Sequence, residues 1–198
     1  MNKPIVFVFA RAPLYGTVKS RLAKDIGKME ALRFYRRTLF DLVDRLRRDG
    51  RYEVKLAVTP KSWKDQSGLW PRGIERVDQG NGDLGQRMIH VLRSSRARLS
   101  IIVGSDIPGI TQAHIGDAVR ALGQRSFVVG PAIDGGYWLI GSRHPSRLRL
   151  DALHGVRWSS PHARLDTVAR LNDVAVLQSV LMDVDDGAAF AAYNAQKR

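Results

Sequence analysis

The chain has 198 residues, 44% of them hydrophobic and 26% charged, a composition that excludes a disordered or fibrous protein and is enough for one domain with a sizeable core, residues 1–198. It contains no cysteine, so disulfides and thiolate metal sites are excluded and any metal must be held by oxygen or imidazole, a donor set suited to Mg²⁺ or Mn²⁺. A net charge of +13 points to an anionic partner, whether nucleic acid, membrane headgroups or a phosphorylated small molecule.

The first apolar run, Ile5 to Ala10, reads as a strand and is too short for a signal-peptide core or a membrane span. No later run approaches the ~20 apolar residues of a spanning helix, and a cytoplasmic protein is the expectation. The connection that follows, Arg11 to Leu22, is long and basic. It lies at the carboxyl end of a strand, where phosphates bind in α/β folds, and Arg11, Lys19 and Arg21 could neutralise a diphosphate or triphosphate there. Gly16 is its only glycine and no Gly-Lys-Ser/Thr occurs, so it is not a Walker A loop. A helix over 29–48 follows from the stripe Leu32, Tyr35, Leu39, Leu42, Val43 and Leu46, which also reads Tyr35 as core; Arg33, Arg36, Arg37, Arg45, Arg47 and Arg48 fill the remainder. Strands are expected at Tyr52 to Val58 and near Ile74 to Val77.

The next connection, Asp78 to Met88, is glycine-rich and runs into a helix over 84–96. Two readings stand for it: a helix N-terminus that holds a nucleotide at Gly82 and Arg87, or a turn with Asp83 as the N-cap. A strand at Leu99 to Val103 then leads through Gly104-Ser105 to Asp106, at the sheet edge where ligands gather. Thr111 is the better placed cap for the helix expected over 112–122, which leaves Asp106 free for a ligand.

Strands at Phe127 to Val129 and Tyr137 to Ile140 flank Gly130-Pro131-Ala132-Ile133-Asp134-Gly135-Gly136. Paired glycines permit a sharp turn and close approach of a ligand to the Asp134 carboxylate; Asp-Gly is equally a hairpin signal with a solvated acid. The last expected elements are a helix over 161–171, a strand at Val180 to Val184 and a helix over 186–196, which Asp186 would cap. Asp183 and Asp185 are left as turn acids or cation ligands. Alternation of strands and helices predicts an α/β fold, a largely parallel sheet covered on both faces.

The basic loop at Lys19-Ser20-Arg21-Leu22, Gly80-Asn81-Gly82-Asp83-Leu84-Gly85, Gly104-Ser105-Asp106-Ile107-Pro108, Gly130 to Tyr137 and Asp183-Val184-Asp185 occur in an order that resembles the DUF2064 family. This is a bacterial group of glycosyltransferase-like proteins within the nucleotide-diphospho-sugar transferase superfamily. The resemblance spans residues 4 to 187 and implies a GT-A, Rossmann-like three-layer sandwich. It also implies that Asp106 is the metal-binding acid after the central strand, that Lys19 and Arg21 contact nucleotide phosphates, and that Asp185 is a second metal ligand. The chain departs from the usual Asp-Thr-Pro-Glu-Asp-Leu ending, with Asp186-Gly187-Ala188-Ala189-Phe190 in its place, which leaves Asp183 as a competitor of Asp185.

The expected activity is metal-dependent transfer from an activated nucleotide, in first place a glycosyl group from a nucleotide-diphospho-sugar to an acceptor the sequence does not name. Asp134 and Asp106 are the expected catalytic acids, and Gly135, Gly136, Tyr137 and Trp138 line the sugar or acceptor side. The alternative is nucleotidyl transfer, as in guanylyltransferases of the molybdenum-cofactor and phospholactate kinds, which are similar at the Lys19 to Leu22 stretch. A nucleic-acid-binding protein is the remote alternative, since the aromatic residues fall in core patterns rather than on a basic face.

Overall fold

The structure, a computed structural model, describes residues 3–195. Its strands are β1 (Ile5–Arg11), β2 (Glu53–Thr59), β3 (Glu75–Asp78), β4 (Ser100–Gly104), β5 (Phe127–Pro131), β6 (Tyr137–Ser142) and β7 (Val174–Val176). They pair into one sheet in the order β3-β2-β1-β4-β6-β5-β7, parallel throughout except for β6, which runs antiparallel to both β4 and β5. The helices are α1 (Ser20–Ile26), α2 (Lys28–Arg47), α3 (Leu84–Arg93), α4 (Gln112–Gln124), α5 (Ala163–Arg170) and α6 (Gly187–Ala195).

The continuous apolar runs of β1 and β4 follow from burial on both faces, since side chains alternate along a strand and here neither set meets water. Val6, Val8, Ile101 and Val103 pack under α2 and α4, against Leu39, Leu42, Leu46, Ile115 and Leu122. Phe7, Ile102 and Ile140 pack on the opposite face against Met88, Ile89 and Leu92 of α3 and Ala163 of α5. The result is an α/β sandwich of three layers. Among the described residues no helix is long and apolar enough to cross a membrane.

Local signals for helix starts behave as their chemistry requires. Asp83 accepts from the Gln86 N–H at 2.8 Å while the Gln86 side chain accepts from the Asp83 N–H at 2.9 Å, a complete capping box for α3. Thr111 and His114 form the corresponding pair at α4. Asp186 caps the last helix by accepting from the Ala189 N–H at 2.9 Å, and Asp25 of α1 accepts from the Gly187 N–H at 2.7 Å, which ties the two helices together.

Two expectations are corrected. The basic connection after β1 ends at Lys19, because Ser20–Ile26 is a helix; seven residues are too few to display a helical period. Val180 to Val184 is not a strand: only Leu181 makes an isolated bridge, to Ala132, and the true edge strand is β7, which pairs with β5. After β7 the chain runs past the end of β5, with the Leu181 N–H on the carbonyl of Pro131, its last residue, at 3.1 Å, and then to the corner after β4, with the Val184 N–H on the Asp106 carbonyl at 3.3 Å. Residue 196, the last of the expected C-terminal helix, lies outside the described residues.

Candidate active site

From β1 the chain moves outward to β2 and β3, whereas β4 returns to the other side of β1. Such a reversal leaves a crevice beyond the carboxyl ends of the two central strands, the place where ligands bind in open α/β sheets. A cleft of about 510 Å³ occupies it. The end of β1, the first turn of α1, Arg87 of α3, the Gly104-Ser105-Asp106 corner and Asp185 all line it. The fold thus gathers Arg11, Lys19, Arg21, Arg87, Asp106 and Asp185, residues up to 174 positions apart, at one sheet edge.

Lys19 is the N-cap of α1 and adopts a left-handed backbone, φ 50° and ψ 50°, without a side-chain cap. That conformation costs a non-glycine residue about 1–2 kcal/mol and persists where surrounding contacts fix it. Its ammonium donates to Asp106 Oδ2 at 3.3 Å and to Asp185 Oδ1. The lysine side chain is only 5% exposed, against 37% for Asp106 and 41% for Asp185. Burial opposes the Lys19 charge, but the Asp106 and Asp185 carboxylates outweigh it and hold the pKa above the ordinary lysine value. Gly104 makes room for this corner, since a Cβ there would lie 2.8 Å from Asp106 Oδ1.

Negative charge at this end exceeds what Lys19 balances. Asp183 has its pKa pushed up to about 6, by burial first and then by the charges of Asp185, Asp134 and Asp106. Among the described residues no three acidic or imidazole side chains already converge as a ligand set. Asp106 and Asp185 nevertheless converge on one cation, and their oxygen donors suit a hard divalent ion, so the residues present fit Mg²⁺ or Mn²⁺.

Two further lining residues are ones the sequence patterns did not mark for the site, Tyr35 and Gln79. Tyr35, 4% exposed, accepts from the Arg11 N–H at 2.9 Å, donates to the Arg11 carbonyl at 3.0 Å and lies 3.2 Å from Ser105 Oγ. Burial pushes its hydroxyl pKa up to about 12, so it remains a neutral donor. Gln79 is buried, its amide donating to the Ala57 carbonyl at 2.8 Å and the Ala10 carbonyl at 3.3 Å, while its Oε1 accepts from Arg87 Nη1 at 2.8 Å. Arg87 is thereby aimed into the cleft; burial, and secondarily the charge of Arg11, hold its pKa down against the pull of Asp83. Replacing Tyr35 with Phe should lower unfolding stability by about 1–2 kcal/mol, since the Arg11 N–H loses its acceptor. It should also weaken nucleotide binding; chemical denaturation and calorimetry together check this, and unchanged values in both would remove Tyr35 from the site.

The β5–β6 hairpin ends at the same edge, because Pro131 pairs with Tyr137 and Val103 of β4 with Leu139. Asp134 caps its own turn, accepting from the Gly136 N–H at 2.8 Å, and does not line the cleft, although its charge reaches Asp183. Neither glycine that follows opens space for a ligand. A Cβ on Gly135, whose φ is 85°, would lie 2.6 Å from Pro161 Cα, and one on Gly136 would lie 3.0 Å from Asp134 Oδ1. Tyr137 turns its hydroxyl into the core, where Thr167 Oγ1 lies 3.4 Å away and burial raises its pKa. Trp138 is 1% exposed and donates to the Ser179 carbonyl at 3.0 Å, and is thus a core residue rather than part of an acceptor surface. Gly82 does not line the cleft either: its φ is 95°, and a Cβ there would collide with the Gln86 side chain that completes the capping box.

A sequence profile described as "Uncharacterized protein conserved in bacteria (DUF2064)" matches residues 42–160, a span that includes the Asp106 corner and the Asp134 hairpin. The chain belongs to the DUF2064 family. Among solved structures it is similar to a protein from Desulfovibrio desulfuricans G20 provisionally described as a nucleotide-diphospho-sugar transferase. The two share 28% identity over 94% of this chain and 84% of that one, with a TM-score of 0.83. Fold similarity extends to a CMP:2-keto-3-deoxy-manno-octonic acid synthetase solved with CTP, at 13% identity over 100% of both chains and a TM-score of 0.63. It extends also to Rv0371c of Mycobacterium tuberculosis H37Rv solved with manganese, at 18% identity over 97% of this chain and 98% of that one, with a TM-score of 0.57. No curated protein matches.

In this DUF2064 member the cleft differs from a larger groove of about 830 Å³ on the sheet face beside α3. Lys55 at its floor is already paired, reaching Glu75 at 2.7 Å and Glu53 at 3.4 Å. In the cleft, by contrast, the guanidinium groups of Arg11 and Arg21 form no ion pair among the described residues. Tyr35 escaped the sequence reading because a helical stripe reports where a ring packs, not where its hydroxyl ends. Gln79 carried one usable signal, an uncharged polar residue directly after a β-strand at the ligand edge.

Proposed function

We propose that the cleft binds the diphosphate of an activated nucleotide and that this protein transfers a glycosyl group from a nucleotide-diphospho-sugar, assisted by Mg²⁺ or Mn²⁺. The observation that carries the reading is the meeting of four basic side chains, Arg11, Lys19, Arg21 and Arg87, with Asp106 and Asp185 at the crevice between β1 and β4. Similarity to the Desulfovibrio protein supports the nucleotide-sugar class.

In this reading Arg11 and Arg21 offer planar donors to phosphoryl oxygens and Lys19 offers a point charge. Arg87, fixed by Gln79, bounds the nucleoside side. Asp106 and Asp185, with Asp183 nearby, would hold the divalent ion, which would neutralise charge on the departing diphosphate. The acceptor oxygen forms its bond to the anomeric carbon as the carbon–oxygen bond to the diphosphate breaks, and the acceptor proton passes to a carboxylate. Asp134 caps its own turn outside the cleft and is not assigned this role.

The bond broken is read directly by ³¹P NMR of purified protein in Mg²⁺ with nucleotide sugars and a panel of hydroxyl acceptors, or with nucleoside triphosphates and a panel of phosphorylated acceptors. Release of a nucleoside diphosphate from a nucleotide sugar is the expected result. Release of pyrophosphate from a triphosphate would replace this reading with nucleotidyl transfer, which the same electrostatics would serve.

Arg11→Ala and Arg21→Ala should each weaken nucleoside diphosphate binding by about 1.5–3 kcal/mol, the range for hydrogen bonds to charged groups, and leave nucleoside binding intact. Calorimetry separates the two. Equal losses for nucleoside and nucleotide would assign the effect to folding.

A further inference from the structure

We propose that Lys19 is an internal counter-cation that competes with the divalent ion for Asp106 and Asp185, so that the ion binds firmly only once nucleotide phosphates have drawn the lysine away. This rests on the cleft being a nucleotide and metal site, and it concerns the coupling between the two ligands.

Three observations carry it. The Lys19 ammonium contacts both carboxylates at once, so an ion bridging Asp106 and Asp185 would have to displace it or share their oxygens against its charge. The competing side chain is also firmly seated: it is 5% exposed while both acids remain partly open to solvent, and its backbone is held in a left-handed conformation. Finally, the other basic residues of the cleft do not share the task. Arg87 donates to Gln79 Oε1 and the Asp83 carbonyl, and Arg87, Arg11 and Arg21 pair with no acid among the described residues.

An ammonium group and a divalent ion repel each other, so the two cannot both sit on the Asp106 and Asp185 oxygens without a large electrostatic cost, and a phosphate offers the lysine an alternative partner. Phosphate binding therefore changes what the ion meets: with Lys19 on the phosphate, Asp106 and Asp185 are left with unbalanced negative charge. By linkage the effect is reciprocal, the ion releasing Lys19 toward the phosphates to the same degree. Metal and nucleotide thus bind cooperatively, beyond any direct contact between them.

The test measures Mn²⁺ affinity without nucleotide, by the free-ion electron paramagnetic resonance signal, in wild type, Lys19→Gln, Lys19→Met and Lys19→Arg. Both neutral variants should bind Mn²⁺ roughly tenfold more tightly than wild type, within the usual range of site couplings, whereas Lys19→Arg should remain as weak as wild type. Wild type supplies a readout independent of variant folding: saturating Mg²⁺ alone should accelerate acetylation of Lys19 by acetic anhydride, followed by mass spectrometry. If Mn²⁺ binds wild type with nucleotide present but the neutral variants show no tightening and Mg²⁺ no acceleration, the competition is overturned while the nucleotide site stands. Absence of Mn²⁺ binding by every protein, with and without nucleotide, overturns both.

Discussion

Asp106→Asn should abolish the divalent-cation-dependent part of nucleotide affinity and reduce turnover by about 10²–10³-fold, while leaving the melting temperature within a few degrees of wild type. The magnitude follows from the several kcal/mol that charge neutralisation by a bound ion contributes to a transition state, at ~1.4 kcal/mol per tenfold in rate. Stability should hold because the side chain is 37% exposed and Lys19 keeps Asp185 as a partner. Asparagine preserves the shape of the corner that Gly104 accommodates, so the change isolates charge from packing. Calorimetry in Mg²⁺ and in EDTA reads the first effect and ³¹P NMR the second. A variant with full cation-dependent affinity would remove Asp106 from the site.

Gly135→Ala should lower unfolding stability by about 2–5 kcal/mol, the largest stability effect expected of any single methyl group in the hairpin. Two terms add: left-handed strain of ~1–2 kcal/mol for a residue with a Cβ, and overpacking of ~1–3 kcal/mol against the Pro161 backbone, whose Cα would be 2.6 Å away. Relief by movement is restricted, because the Gly135 carbonyl accepts from the Arg164 N–H at 3.2 Å. Gly50→Ala is the control, with φ 69° and nothing within 4 Å of an added Cβ, and should show the strain alone. Equal losses at both positions in urea titrations would mean that the 160s loop gives way freely and that Gly135 is a turn glycine only.

Much of the architecture was legible because the physics that forms it is local or periodic. The stripe of α2 and the capping pairs at Asp83 and Thr111 each contain their own explanation within a few residues. Lys19, Arg21 and Asp106 were legible for a related reason: strand ends in an α/β sheet share one edge, so basic and acidic residues that follow strands are neighbours in space. What escaped depended on partners distant in sequence. The paired glycines after Asp134 carried two readings, open space for a ligand or a tight turn, and only the position of Pro161, 26 residues after Gly135, favours the second. Tyr137 and Trp138 were expected to line the sugar or acceptor side, yet strand alternation carries their polar atoms to Thr167 and Ser179. The segment before Asp183 has the apolar composition of a strand, but β7 already occupies the edge beside β5. Asp185 therefore reaches the cleft on irregular chain that Val184 anchors to the Asp106 carbonyl.

The central claim is that one composite cleft holds nucleotide phosphates and a divalent ion together. Its most direct measurement is the calorimetric titration of wild-type protein with a nucleoside diphosphate, and with the matching nucleoside, in Mg²⁺ and in EDTA. The diphosphate should bind much more tightly than the nucleoside, and EDTA should remove a large part of that difference while leaving the nucleoside unaffected. Diphosphate affinity equal to that of the nucleoside, or identical in Mg²⁺ and EDTA, would contradict it.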